Sequence, residues 1–118
     1  MNLVASMRGI NVVDIGTLMQ QLILEVHQNT QVAHLSGGVK RKLSIAMSLL
    51  GDAKLIILDE PTANIDYHAK KHIWDLILSL KTQQRAILIT TQDVEEAEII
   101  GDKICFLKDG KTEALGTL

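Results

Sequence analysis

The 118-residue sequence predicts an α/β fold: a parallel sheet with helices on its faces. Two observations carry this reading. Residues 55–58 and 86–90 are short continuous apolar runs, as expected of strands buried on both faces. Between and before them, apolar residues recur at helical spacing. Pro61 is the only proline, and no linker composition or internal repeat divides the chain.

The elements follow in order. Ile15, Leu18, Met19, Leu22 and Val26 form a helical stripe behind a candidate cap at Asp14. Residues 28–33 are polar and predict a loop. Val39, Leu43, Ala46, Met47 and Leu50 make a second stripe, opened by Ser36 and closed by Gly51. The strand 55–58 follows, then a third stripe through Ala69, Ile73, Leu76, Ile77 and Leu80. After the strand 86–90, Asp93 with Glu96 resembles a capping box before a short helix ending near Gly101. Residues 103–108 and 111–115 predict a hairpin turned by Asp109-Gly110.

Composition excludes several classes. The net charge is −2 and aromatics are 3 %, so neither a basic face nor a base-stacking surface points to nucleic acid. No apolar run approaches the ~20 residues that cross a bilayer. Residues 1–13 lack the apolar stretch of a signal peptide. Cys105, alone and flanked by Ile104 and Phe106, predicts a reduced thiol packed in a core.

Two segments carry chemistry. In Leu35-Ser36-Gly37-Gly38, two glycines directly before a helix let a ligand approach the backbone. The free N–H groups and positive end of that helix favour a phosphate. An ordinary serine cap with a flexible entry is the plainer alternative. In residues 55–62, four apolar residues lead into Asp59-Glu60-Pro61-Thr62. That places two carboxylates at the C-terminal end of a strand, where open α/β sheets bind ligands. One carboxylate suits a hydrated Mg²⁺, and its neighbour suits a water to be positioned or deprotonated. A strand ending in a polar turn is the alternative there.

Taken together and in this order, the segments resemble the stretch from signature motif to Walker B of ABC ATPases. Asn64-Ile65-Asp66 stands at the family's D-loop, and Thr90-Thr91-Gln92 at its switch loop. Residues 35–50, 55–66 and 95–110 resemble the A subfamily, mostly lipid or sterol transporters. The implied fold is a partial P-loop NTPase sheet with an N-terminal helical subdomain segment. Residues 1–50 would be the helical subdomain and signature helix. Residues 51–118 would run from Walker B through the switch loop, all 1–118 belonging to one ATPase domain.

The resemblance implies roles for individual residues. Ser36, Gly37 and Gly38 would hold the γ-phosphate of an ATP bound mainly to a second ATPase domain in a head-to-tail dimer. Asp59 would organise Mg²⁺ through water. Glu60 would act as catalytic base or position the water, and Asp66 would link the two sites. Transmembrane domains of a parent transporter would be the other partners, placing the ATPase domain on the cytoplasmic side of a membrane. Three departures matter. Val39 stands at a position often occupied by Gln. Gln92 replaces the switch histidine; it can hydrogen-bond but cannot become cationic. No Gly-x-x-x-x-Gly-Lys-(Ser/Thr) occurs, so the chain carries no P-loop. A fragment or a truncated product is therefore expected, inactive alone, with a gap or open edges in its sheet where the family's P-loop strand lies, between 86–90 and 103–107.

Three functions remain open: ATP-driven transport, exercised by the complete domain; a non-catalytic module lending its signature to a partner's ATP site; and a soluble ABC ATPase of the translation or repair type. The acidity and the Asn64-Ile65-Asp66 sequence disfavour the last. His68 and His72, spaced i, i+4, suit a metal but more simply open a solvated helix with Lys70 and Lys71. Lys40-Arg41-Lys42 reads as a polar helix face, and Trp74 as packing on its helix.

Overall fold

The computed structural model describes residues 12–51, 53–81 and 85–117. The part of the 1–50 segment that precedes residue 12 lies outside them. Among the described residues, four helices and four strands follow in order: α1 (Val12–Gln21), α2 (Gly37–Leu49), β1 (Leu55–Asp59), α3 (Tyr67–Lys81), β2 (Ala86–Thr90), α4 (Val94–Ile100), β3 (Lys103–Lys108) and β4 (Lys111–Thr117). Two 3-10 turns, Glu25–His27 and Val32–His34, bracket the polar stretch after α1.

β1 and β2 pair in parallel, with Leu55 opposite Ala86 and Asp59 opposite Thr90. This register brings Asp59 side by side with Thr90, the start of the Thr90-Thr91-Gln92 segment. β3 and β4 form a separate antiparallel pair. The interruption falls between β2 and β3, where the resemblance implied one. Asp109 (φ 49°) and Gly110 (φ 73°) make the expected two-residue hairpin turn, since both positions of that turn require positive φ.

The core gathers under one face of the parallel pair. α3 buries Ala69, Ile73, Trp74, Leu76, Ile77 and Leu80. α2 contributes Ile45, Ala46 and Leu49, and β1 contributes Ile56 and Leu58. Each fully buried large apolar side chain stabilises by about 1.5–3 kcal/mol.

Several local expectations fail for definite reasons. β1 is not buried on both faces: Ile56 and Leu58 are covered, whereas Leu55 and Ile57 are exposed, because α2 and α3 both pack on one side. β2 alternates in the same way, with Leu88 exposed. Cys105 is exposed rather than packed in a core, its thiol 3.7 Å from the Thr112 hydroxyl. Its hairpin pairs chiefly with itself, so an apolar sequence did not become an interior. Asp14 lies inside α1, which begins at Val12, and is not its cap. Val26, assigned to the first stripe, is exposed on a 3-10 turn beyond the helix end.

That helix end is unusual. The Leu24 N–H donates to the Met19 carbonyl and the Ile23 N–H to the Gln20 carbonyl. This is the Schellman pattern, which places Ile23 in the left-handed region at φ 53°. Glycine normally fills such a position, and a β-branched residue is rare there. Burial of Leu22 and Leu24 on either side anchors the turn in the core and holds Ile23 in it.

Candidate functional site

Asp59 and Glu60 sit at the C-terminal end of β1, with Thr90 beside them at the end of β2. The Thr90 hydroxyl donates to Asp59 Oδ1. The Glu60 N–H reaches both the Thr90 carbonyl (3.0 Å) and the Thr90 hydroxyl oxygen (3.1 Å). Glu60 itself has φ 46°, a left-handed conformation that a non-glycine residue adopts at a cost. Such strain persists only where surrounding contacts over-determine it, and they do so from two sides here. The second side is Arg41 of α2. Its guanidinium donates to the Asp59 carbonyl (3.0 Å), the Pro61 carbonyl (3.3 Å) and the Glu60 carbonyl. The expectation of a merely polar face for Lys40-Arg41-Lys42 therefore fails at Arg41. Lys40 instead reaches the Ala33 carbonyl at 3.3 Å.

Ser36 caps α2, its hydroxyl accepting from the Val39 N–H at 3.3 Å. The amides of Gly37 and Gly38 open the helix, and a Cβ at either residue would meet nothing within 4 Å. The chain's own packing thus gives no reason for two glycines. Both stand in the first turn with open space beside them, where the backbone is accessible from outside. Gly37, Arg41, Ala63, Asn64 and Ile65 line a shallow cavity of about 270 Å³ between the start of α2 and the D-loop position.

Asp66 takes a local role. Its carbonyl accepts from Lys70 N–H and its carboxylate from Ala69 N–H at 3.0 Å, so it caps α3. Gln92 is exposed between β2 and α4. The capping box at Asp93 is half made. The Asp93 carboxylate accepts from Glu95 N–H and Glu96 N–H, but Asp93 N–H turns to the Thr91 hydroxyl. Glu96 is instead buried, its Oε1 accepting from the Thr62 hydroxyl (2.8 Å) and the Trp74 indole (3.0 Å). Sequence reasoning missed Glu96 and Arg41 in these roles. The structure brings Ser36, Gly37 and Gly38 to one end of α2, and Asp59, Glu60 and Thr90 to one end of the sheet. Arg41 bridges the two.

Among the described residues, three groups titrate away from their ordinary values. The Ala69 N–H lowers the Asp66 carboxyl. The Lys70 ammonium, 2.6 Å away, lowers Asp93, aided by the Glu96 and Glu95 N–H groups, and Asp93 in turn raises Lys70. The signs follow from linkage. The two aspartates stabilise the fold above the unfolded carboxylate value of about 3.9, and this is lost as pH falls through their lowered values. The Lys70 contribution is complete below about 10.4 and is lost as pH rises through its raised value. Asp93→Asn keeps a cap acceptor but removes the charge. Its urea midpoint is expected to fall less steeply than the parent's on acidification below pH ~4.

Carboxylates at the end of a parallel strand, beside a glycine-opened helix, are the arrangement of an α/β nucleotide-binding domain. The ABC transporter family profile matches residues 10–63. Nod factor export ATP-binding protein I of Rhizobium johnstonii is 45 % identical over 102 residues, covering 86 % of this chain and 33 % of that protein. The retinal-specific phospholipid-transporting ATPase of Bos taurus is 39 % identical over 100 residues, covering 85 % of this chain and 4 % of that protein. A solved ATP-binding cassette, dimeric in a post-hydrolysis state with ADP and Pi, superposes with a TM-score of 0.79 at 27 % identity, covering 86 % of this chain and 44 % of that one. The chain belongs to the ATP-binding domains of ABC transporters and has relatives in the A subfamily. It spans about a third of the Nod factor protein it matches. Among the described residues no helix is long and apolar enough to cross a membrane.

Proposed function

We propose that this chain supplies the signature, Walker B, D-loop and switch positions of an ABC ATPase domain, and that the complete domain binds and hydrolyses ATP to drive transport, with lipid as the cargo class. The observation that carries the reading is Glu60, held in a left-handed turn beside Asp59 by Thr90 and Arg41. The donor set fits Mg²⁺, which prefers carboxylate and water oxygens, and the amides at the start of α2 fit a phosphate. When bound, Mg²⁺ would neutralise phosphate charge. Asp59 would hold it through water, Glu60 would orient or deprotonate the attacking water, and Ser36, Gly37 and Gly38 would face the nucleotide of a second ATPase domain. The dimeric state of the solved cassette supports that partner, and Asp66 would link the two sites. The A-subfamily relatives support the lipid cargo and, through the transporter family, membrane-spanning partners and a cytoplasmic position.

The chain alone neither binds ATP tightly nor hydrolyses it on this reading. A helix N-terminus contributes about 0.3–1 kcal/mol towards an anion, against the ~8 kcal/mol of a micromolar site. The test is calorimetry with MgATP on the folded chain, followed by co-expression with a segment bearing a P-loop. Hydrolysis restored only by co-expression supports the reading; micromolar MgATP binding by the chain alone overturns it.

Gln92 favours a second reading, a module that lends its signature and turns nothing over. If the neutral amide limits the rate, Gln92→His in the full-length domain raises hydrolysis up to roughly tenfold, as one charge-assisted contact worth about 1.4 kcal/mol would. A Gln92→His domain that still binds nucleotide but stays inactive favours the non-catalytic module.

A further inference from the structure

The Asp59–Pro61 turn has an unusual support. Three successive main-chain carbonyls, those of Asp59, Glu60 and Pro61, accept from one guanidinium. The donor, Arg41, lies one turn into the helix that Ser36 caps and Gly37 opens. Glu60, at the centre of the turn, has φ 46°, so its side-chain direction depends on whatever holds that backbone. The Thr90 contacts hold its N–H; Arg41 holds its carbonyl.

We propose that Arg41 is a positioning residue for Glu60: it fixes the turn from the signature helix, so that the placement of that helix sets the placement of the carboxylate. The proposal rests on the ATPase reading above. A planar guanidinium has five donors in a fixed fork and can serve three carbonyls at once. An ammonium has three donors, but on one nitrogen at the end of a flexible stem, without the fork's fixed spacing between Nε and Nη2. In a head-to-tail dimer the start of α2 faces a nucleotide on the second domain while Glu60 serves the nucleotide of its own. Arg41 therefore gives each nucleotide a mechanical path to the other site's catalytic carboxylate.

The test measures steady-state ATP hydrolysis in the full-length domain for Arg41→Lys, Arg41→Met, Glu60→Gln and the double variant Arg41→Lys/Glu60→Gln. Circular dichroism and thermal melting are read on the same samples. Because a misplacement of about 1 Å can cost about 10²-fold, Arg41→Lys is expected to lower kcat roughly ten- to a hundredfold. KM for ATP should stay within about twofold, since the contact supports the chemistry and not nucleotide binding. The Arg41→Lys effect should vanish in the Glu60→Gln background, where the group being positioned is already gone. Arg41→Met should lower kcat further; if it fails to fold, Arg41→Lys decides. Wild-type kcat in folded Arg41→Lys overturns the proposal, as does a loss that persists undiminished in the double variant. Unchanged turnover in Glu60→Gln instead removes Glu60 from the chemistry, and with it the role the proposal builds on, whatever Arg41 does.

Discussion

Replacing Glu60 by Gln in the full-length domain is expected to cut ATP turnover by about 10²–10⁴-fold, the scale of a positioned general base. The amide has nearly the shape of the carboxylate but cannot take a proton from water. The contacts that hold the residue, Thr90 to its N–H and Arg41 to its carbonyl, involve only its main-chain atoms and survive the change. Nucleotide binding should therefore persist, and the loss should appear in kcat. Single-turnover hydrolysis together with equilibrium MgATP binding checks this. Wild-type turnover in Glu60→Gln would remove Glu60 from the chemistry.

The largest expected loss of stability belongs to Trp74→Ala, about 3–5 kcal/mol for a large aromatic truncated in a core. Trp74 is buried, its ring edge-on to Tyr67, and its indole N–H donates to Glu96 Oε1. Truncation opens a cavity between α3 and α4 and takes one of the two donors from a buried carboxylate. Glu96 Oε2 already lacks a partner among the described residues, so the carboxylate would depend on Thr62 alone. Trp74→Phe separates the two contributions. It keeps most of the ring volume and loses the N–H, for an expected cost of about 1–3 kcal/mol. Urea denaturation followed by circular dichroism measures both variants. Equal costs for Ala and Phe would show that the hydrogen bond, not the packing, dominates.

Much of this architecture was legible because periodicity is local. The stripe from Ala69 to Leu80 and the Asp109-Gly110 turn depend on residues within a few positions of one another. The carboxylates at the end of β1 were legible only because that apolar run follows Ser36-Gly37-Gly38 and precedes Asn64-Ile65-Asp66 in one order; alone, the run reads equally as a strand ending in a polar turn. The contacts that hold the site in place were not. Arg41 binds main-chain carbonyls 18 to 20 residues away, and a carbonyl leaves no mark in a sequence. Glu96 looked like the far half of a capping box, but Thr62, 34 residues earlier, and Trp74, 22 residues earlier, claim its carboxylate. Ile23 was opaque because local propensity argues against the conformation it adopts. Cys105 misled because an apolar run becomes an interior only if something covers it.

The Asp59–Pro61 turn is built almost wholly from backbone acceptors, and this bears on how such domains diverge. Substitutions at residues 60 and 92 change what the site can do without touching the bonds that Arg41 and Thr90 make. A lineage can therefore abandon turnover by single replacements while its fold, and the helix it offers to a partner, stay intact. Catalytically silent descendants are close neighbours of active ones in sequence space. Replacement of Arg41 has no such neutrality, because it removes support from chemistry and scaffold together.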